Sequence, residues 1–145
     1  AGVRFEHVAD IQAAMWMKFV FITTWSGLGA LTRAPIGVWR SQPETRRLSE
    51  QAAFETLAVA HARGIAVPAD AVDKTFAMLD NVPVGGTSSM QRDVMAGRPS
   101  ELEAQSGAVV RFGAEANVVT PVHGFIYASL LPQERRARGE IPFEL

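Results

Sequence analysis

The segment AAMWMKFVFITTWSGLGAL, residues 13–31, decides how the fold is interpreted, because it is mostly apolar over about the length of a membrane span. Lys18 interrupts this segment, together with two threonines, a serine and two glycines, which argues against a role in a membrane and favours a helix buried in a protein core. We predict that this helix runs from about Val8 to Thr32 and is loosened near residues 26–29. The rest of the sequence must then supply the helices that cover it.

Apolar residues recur at helical spacing through the remaining sequence, and no segment alternates at period two for long enough to predict a sheet. With 145 residues, the chain is long enough for one sizeable core. We therefore predict an all-α fold, a compact multi-helix bundle over residues 1–131, followed by a polar tail over residues 132–145 that frays. Further helices, after a short turn or helix near Pro35, are predicted over about residues 43–63, from about Ala69 to before Pro83, from Ser88, from Ser100, and over residues 122–131.

Three of these helix starts have the spacing of a capping box, in which a serine is followed three residues later by an acid or an amide. The pairs are Ser41 with Glu44, Ser88 with Gln91, and Ser100 with Glu103. We interpret Glu103 as the capping partner of Ser100 and assign it no chemistry. Gly64 is predicted to end the helix that starts at Pro43.

The composition excludes several functional classes. A net charge of -1 and a pI of about 6.3 give no electrostatic basis for binding nucleic acid. Because the chain has no cysteine and its three histidines lie far apart, we predict no disulfide and no metal site. Residues 1–10 carry charges where a signal peptide would need an apolar core, so a cytoplasmic location is expected.

Lys18 is the first candidate for chemistry, since only two of the 14 basic residues are lysines. Apolar residues surround it on the predicted helix, where an ammonium must reach water, pair with an anion or lose its charge. Lysine can also act as a proton donor, which arginine cannot. Periodicity alone leaves open a structural lysine whose stem runs past apolar neighbours to solvent. Lys74, between polar neighbours, is interpreted as a surface residue.

Ser88 and Ser89 open one predicted helix, where free backbone amides favour an anion. Capping explains Ser88, whereas Ser89 is free to direct its hydroxyl at a carboxylate ligand, an exposed serine being the alternative. Glu101 is also a candidate for chemistry, and the alternative is that its carboxylate only complements the dipole of the predicted helix. Gly27 and Gly29 lack the third glycine and the preceding strand of a dinucleotide-binding loop, so no cofactor site is predicted there.

Three segments together resemble the C-terminal domain of ketopantoate reductases, also called 2-dehydropantoate 2-reductases. They are GVRFEHVADIQAAMWMKF (residues 2–19), SSMQRDVMAGRPSELEAQSG (88–107) and TPVHGFIYASL (120–130). The resemblance implies the helical C-terminal domain of a 6-phosphogluconate-dehydrogenase-like reductase, with NADPH held mainly by an N-terminal Rossmann domain absent from this chain. It implies NADPH-dependent reduction of ketopantoate to pantoate in pantothenate synthesis, with the isolated domain inactive. Long apolar helices such as the first are compatible with a homodimer.

The same resemblance implies roles for individual residues. Lys18 would donate the proton to the keto oxygen, Ser89 would hydrogen-bond the substrate, and Glu101 would accept from its hydroxyl and help orient Lys18. Many family members have asparagines four and eight residues after the lysine, where this chain has Ile22 and Ser26. Ser26 is kept as a candidate substrate-binding residue, and the identity of the 2-oxo acid stays open. The alternatives are a paralogous reductase of another 2-oxo acid and a non-catalytic helical oligomerisation or binding module.

Overall fold

The structure is a computed structural model that describes residues 10–144. Within this range it contains seven helices and no strand, which confirms the predicted all-α fold. The predicted start of the first helix at Val8 lies outside the described residues. The helices are α1 (Ile11–Thr32), α2 (Ile36–Trp39), α3 (Pro43–Ala62), α4 (Ala71–Asn81), α5 (Ser89–Met95), α6 (Ser106–Glu115) and α7 (Pro121–Ala137).

Helix α1 is the central element, because α2, α3, α4, α5 and α7 all pack against it. Its C-terminal half is buried, whereas its N-terminal half is largely exposed. The helix is continuous, so the predicted loosening near residues 26–29 is wrong. A Cβ on Gly27 would lie 3.1 Å from Ile126, and one on Gly29 would lie 2.5 Å from Gln91, so the glycines permit close helix packing. Across the described residues no helix is both long and apolar enough to cross a membrane.

The predicted helix starts have different outcomes. Ser88 caps α5 as expected, since its hydroxyl accepts a hydrogen bond from the Gln91 amide at 3.1 Å. Ser41 does not cap α3, because Gln42 holds the cap position and the Ser41 hydroxyl donates to the Val38 carbonyl. Gly64 follows α3 with a φ of 77°, which confirms the predicted stop.

The helix predicted to begin at Ser100 starts later, at Ser106, after a run of turns. The Ser100 hydroxyl donates to Glu134 Oε2 at 2.6 Å, so its strongest contact is a long-range one. Glu103 is not a capping partner either. Its carboxylate accepts a 2.7 Å hydrogen bond from the Tyr127 hydroxyl and pairs with Arg111, which ties this turn to α6 and α7.

Helix α7 continues through Pro132 to Ala137, so the predicted helix end at Leu131 and fraying from residue 132 are wrong. Proline removes one helical hydrogen bond, but the following turn is held by Glu134, which is buried. The Glu134 carboxylate accepts from the Ser100 amide at 3.1 Å, from the Ser100 hydroxyl, and from Arg138 Nε at 2.7 Å. Because removing these partners would leave a buried charge, Glu134 anchors the last two turns to the chain at Ser100, although most of their other residues are exposed.

A buried polar network joins four helices at the centre of the bundle. His123 Nε2 on α7 lies 3.0 Å from both the Thr56 hydroxyl and the Ala52 carbonyl on α3, and Nδ1 lies 3.5 Å from the Ser106 hydroxyl on α6. Thr56 in turn contacts the Thr23 hydroxyl on α1 at 3.2 Å. Since a carbonyl only accepts, Nε2 carries a ring hydrogen and donates it to the Ala52 carbonyl.

Burial lowers the pKa of His123 to about 4. In the unfolded chain this histidine is protonated below about pH 6.5, whereas in the folded chain it is protonated only below about pH 4. The contribution of neutral His123 to the unfolding free energy is therefore complete above pH 6.5 and is lost as the pH falls towards 4. We expect the unfolding free energy to fall by about 3 kcal/mol across this window from His123 alone. The His123→Gln variant should have a lower unfolding free energy at neutral pH, and that free energy should change less between pH 6.5 and 4. Urea unfolding at a series of pH values measures both.

The matched control is His61→Gln, because His61 is exposed and lies outside the buried network, so its variant shows the effect of losing a histidine elsewhere. Burial raises the pKa of Glu55, which caps α7, and this acts in the opposite direction. Glu55 is present in both variants, so the difference in slope reports on the imidazole. An unchanged slope in His123→Gln would contradict the assignment of a neutral, buried His123.

Candidate functional site

The N-terminal half of α1 presents Lys18 to solvent. Ile11 and Met15, two turns and one turn before it, are 66% and 68% exposed, so an apolar surface adjoins the ammonium. Within residues 10–144, Lys18 forms no ion pair. Lys18, Ile22 and Ser26 are spaced four apart and share one side of the helix. Ile22 is half-buried and Ser26 is only 3% exposed, so this side passes from solvent into the core.

Helix α5 positions Ser89 as its first residue, directly after the capping Ser88. Ser88 is buried and its hydroxyl is occupied by the cap, whereas Ser89 is exposed. Gln91 fixes the helix against α1, because its side chain packs on Gly29 and its Nε2 donates to the Ala34 carbonyl at 3.0 Å. Of the two adjacent serines, Ser88 therefore uses its hydroxyl to cap the helix, and Ser89 leaves its hydroxyl available to a ligand.

Glu101 lies exposed in the turn before α6, where the sequence pattern had predicted a helix. Gln105 Nε2 donates to Glu101 Oε2 at 2.9 Å, and Gln105 itself is only 6% exposed. A buried amide thus orients one carboxylate oxygen. Sequence reasoning missed Gln105, and the only available signal was its four-residue spacing from Glu101, which is meaningful only once the backbone turn is known.

The four candidate residues come from three separate elements: Lys18 and Ser26 from α1, Ser89 from α5, and Glu101 from the turn before α6. No hydrogen bond or ion pair within the described part of the chain joins any two of them. Helices α1 and α5 pack together directly, so two of these elements are fixed relative to each other. The arrangement offers an ammonium, a hydroxyl and a carboxylate to solvent, a set suited to a small polar ligand.

Residues 10–134 match the family described as "Ketopantoate reductase PanE/ApbA C terminal". A 2-dehydropantoate 2-reductase from Pyrobaculum aerophilum is 32% identical over 133 residues, which cover 92% of this chain and 47% of that protein.

Two solved structures agree with the match. A dimeric ketopantoate reductase from Staphylococcus aureus superposes with a TM-score of 0.83 at 28% identity, covering 90% of this chain and 45% of that one. A PanE/ApbA family ketopantoate reductase from Ralstonia eutropha JMP134 has a TM-score of 0.85 at 24% identity, covering 94% and 46%, and supports the fold.

The fold is therefore that of an all-α domain found in oxidoreductases. The chain belongs to the ketopantoate reductase family and corresponds to its C-terminal domain. It spans about half the length of the curated relatives it matches.

The two serines of α5 give a direct test of their different structural roles. Ser88→Ala removes the cap on α5 and should lower the unfolding free energy by about 1 kcal/mol. Ser89→Ala is the matched control, because an exposed hydroxyl should contribute within about 0.5 kcal/mol. Urea unfolding of both variants measures the difference. Equal losses would contradict the division between a capping serine and a free one.

Proposed function

We propose that this chain is the C-terminal domain of an NADPH-dependent 2-dehydropantoate 2-reductase, which reduces ketopantoate to pantoate in pantothenate synthesis. The observation that carries the proposal is the family match over residues 10–134, a range that includes Lys18, Ser89 and Glu101. All three side chains are exposed and open to a ligand. The match concerns one domain, so the activity belongs to the complete protein.

In the proposed reaction, Lys18 donates a proton to the keto oxygen and stabilises the alkoxide that develops there. Ser89 donates a hydrogen bond to the substrate. Glu101, oriented by Gln105, accepts a hydrogen bond from the substrate hydroxyl and helps to orient Lys18. Ser26 is a further proposed substrate contact, and its burial means that a ligand could reach its hydroxyl only after the side chains above it move.

NADPH supplies the hydride when it is bound. Residues 10–144 form only helices and contain no strand followed by a glycine-rich turn and a helix, so they do not fit a main dinucleotide site. We therefore assign the main cofactor contacts to an N-terminal domain outside this chain. On this assignment the isolated domain would not turn over substrate.

The second lysine of the chain provides a matched control for Lys18. Lys74 is exposed and forms a surface ion pair with Asp70 at 3.0 Å. In the complete protein that contains this chain, Lys18→Ala should lower kcat by about a hundredfold to ten-thousandfold, because it removes a general acid. Lys74→Ala should leave kcat unchanged. Steady-state NADPH oxidation measures both, and circular dichroism confirms that the variants fold.

Equal activity in Lys18→Ala and the parent enzyme would contradict the role of Lys18. A loss of activity in Lys74→Ala of the same size would show that the effect is general to charge removal. A non-catalytic binding module, the alternative from another class, would show no NADPH oxidation in the parent protein.

The substrate is the least constrained part of the proposal. Ile22 and Ser26 stand where many family members carry asparagines, and an apolar side chain cannot fix a substrate by hydrogen bonds. We expect the complete protein to prefer ketopantoate in kcat/KM over a panel of other branched and small 2-oxo acids. Preference for another acid would keep the mechanism and reassign the substrate to that of a paralogous reductase.

We also propose that the complete protein forms a homodimer. The similar enzyme from Staphylococcus aureus is described as dimeric. In this chain, large apolar side chains remain exposed on α1, α3 and α7, including Met15, Phe54 and Phe125. Such exposed apolar area is compatible with a subunit interface.

A further inference from the structure

A cavity of about 430 Å³ lies where the C-terminal ends of α1, α5 and α7 meet. Three arginines from three elements line it: Arg33 directly after α1, Arg98 after α5, and Arg136 in the last turn of α7. Arg33 is 15 residues beyond Lys18 along the α1 axis, which corresponds to about 22 Å. Lys18 therefore lies away from the cavity, whereas Glu101 follows the cavity-lining Arg98 by only three residues.

The hydrogen-bond donors of these arginines are largely unused. Arg33 forms no ion pair within residues 10–144. Arg98 donates through Nε and Nη2 to Asp93 Oδ1, at 3.0 and 2.7 Å, which leaves Nη1. Arg136 stacks its guanidinium on the Phe143 ring at 4.9 Å, and stacking occupies the face of the group while the edge that carries the N–H donors stays open.

Several acceptors around the cavity, in contrast, are already bonded. The Glu134 carboxylate accepts from Ser100 and Arg138. The carbonyls at the end of α5 are also occupied: those of Arg92, Asp93 and Val94 accept from the amides of Ala96, Arg98 and Gly97. Arg33 and Arg136 thus bring positive charge and free donors to the mouth of the cavity, where they offset the negative ends of three helix dipoles, while Arg138 pairs the Glu134 carboxylate.

A second groove is lined by two arginines whose charges are each paired with an acid. Arg63 and Arg111 line a groove of about 620 Å³ beside Trp16 and Phe112. Arg63 pairs with Glu115 at 2.7 Å, and Arg111 pairs with Glu103. Each arginine there has an acid of its own, whereas Arg33 has none within the described residues.

The backbone at Arg33 makes its residue type informative. Its φ is 58°, in the left-handed region at the end of α1, where glycine is the favoured residue. A basic residue near a helix C-terminus also complements the helix dipole, and this effect alone would need no cavity. The two explanations differ in whether removing the side chain changes the binding of an anion.

We propose that this cavity binds the phosphate group of a small phosphorylated molecule, at a site that does not include Lys18. The planar guanidinium matches phosphate oxygens with paired hydrogen bonds. Arg33 and Arg136 supply charge that no acid pairs within the described residues, and Arg98, which pairs with Asp93, adds free N–H donors. The phosphate belongs either to NADPH or to a separate ligand, and competition with NADPH distinguishes the two.

The test is calorimetric titration of inorganic pyrophosphate into the complete protein at low ionic strength. Arg33→Gly should weaken binding at least tenfold, since it removes a charged donor, and its thermal midpoint should not fall because glycine suits the backbone. Asn117→Gly is the matched control: Asn117 has a φ of 56° but does not line the cavity, so binding should be unchanged. Arg136→Gln should also weaken binding, which excludes an effect of the Arg33 backbone.

Two outcomes would overturn the proposal: no binding of pyrophosphate to the parent protein, and equal binding by Arg33→Gly and the parent. Complete displacement by saturating NADPH would identify the phosphate as that of the cofactor, and continued binding beside NADPH would identify a separate ligand. Lys18→Ala should bind pyrophosphate as the parent does. The failure of this inference is therefore distinguishable from the failure of the proposed enzymatic function.

Discussion

The buried imidazole of His123 constrains how four helices of the bundle pack against one another. Through Thr56 and Ala52 it joins α7 to α3, through Ser106 it approaches α6, and Thr56 continues the network to Thr23 on α1. A fully buried polar network costs free energy unless each member is paired, so it permits one relative arrangement of these helices and penalises others. Glu55 adds to this constraint by accepting hydrogen bonds from the first free amides of α7.

Two further features fix the elements that carry the candidate site. Gly27 and Gly29 let α7 and α5 approach α1 closely, which holds Ser89 in place relative to the Lys18 helix. Glu134 then fixes the chain at Ser100, immediately before Glu101. The exposed groups are thus presented by a well-packed frame.

The molecule also separates two kinds of surface. Lys18, Ser89 and Glu101 are exposed groups of mixed charge, an ammonium, a hydroxyl and a carboxylate. The cavity at the C-terminal ends of α1, α5 and α7 is lined by arginines instead.

The sequence by itself determined the helical class, because apolar spacing at 3.6 residues depends only on local order, and it determined the cap at Ser88 and the stop at Gly64. It also singled out Lys18 through the scarcity of lysine. Tertiary structure decided the roles of Ser100, Glu103 and Glu134. Ser100 and Glu134 bond to each other across 34 residues. Glu103 bonds to Arg111 and Tyr127, which lie 8 and 24 residues away. A capping pattern describes neighbours in sequence, whereas a buried carboxylate takes whichever donors the packed chain brings to it, and those donors cannot be read from spacing alone.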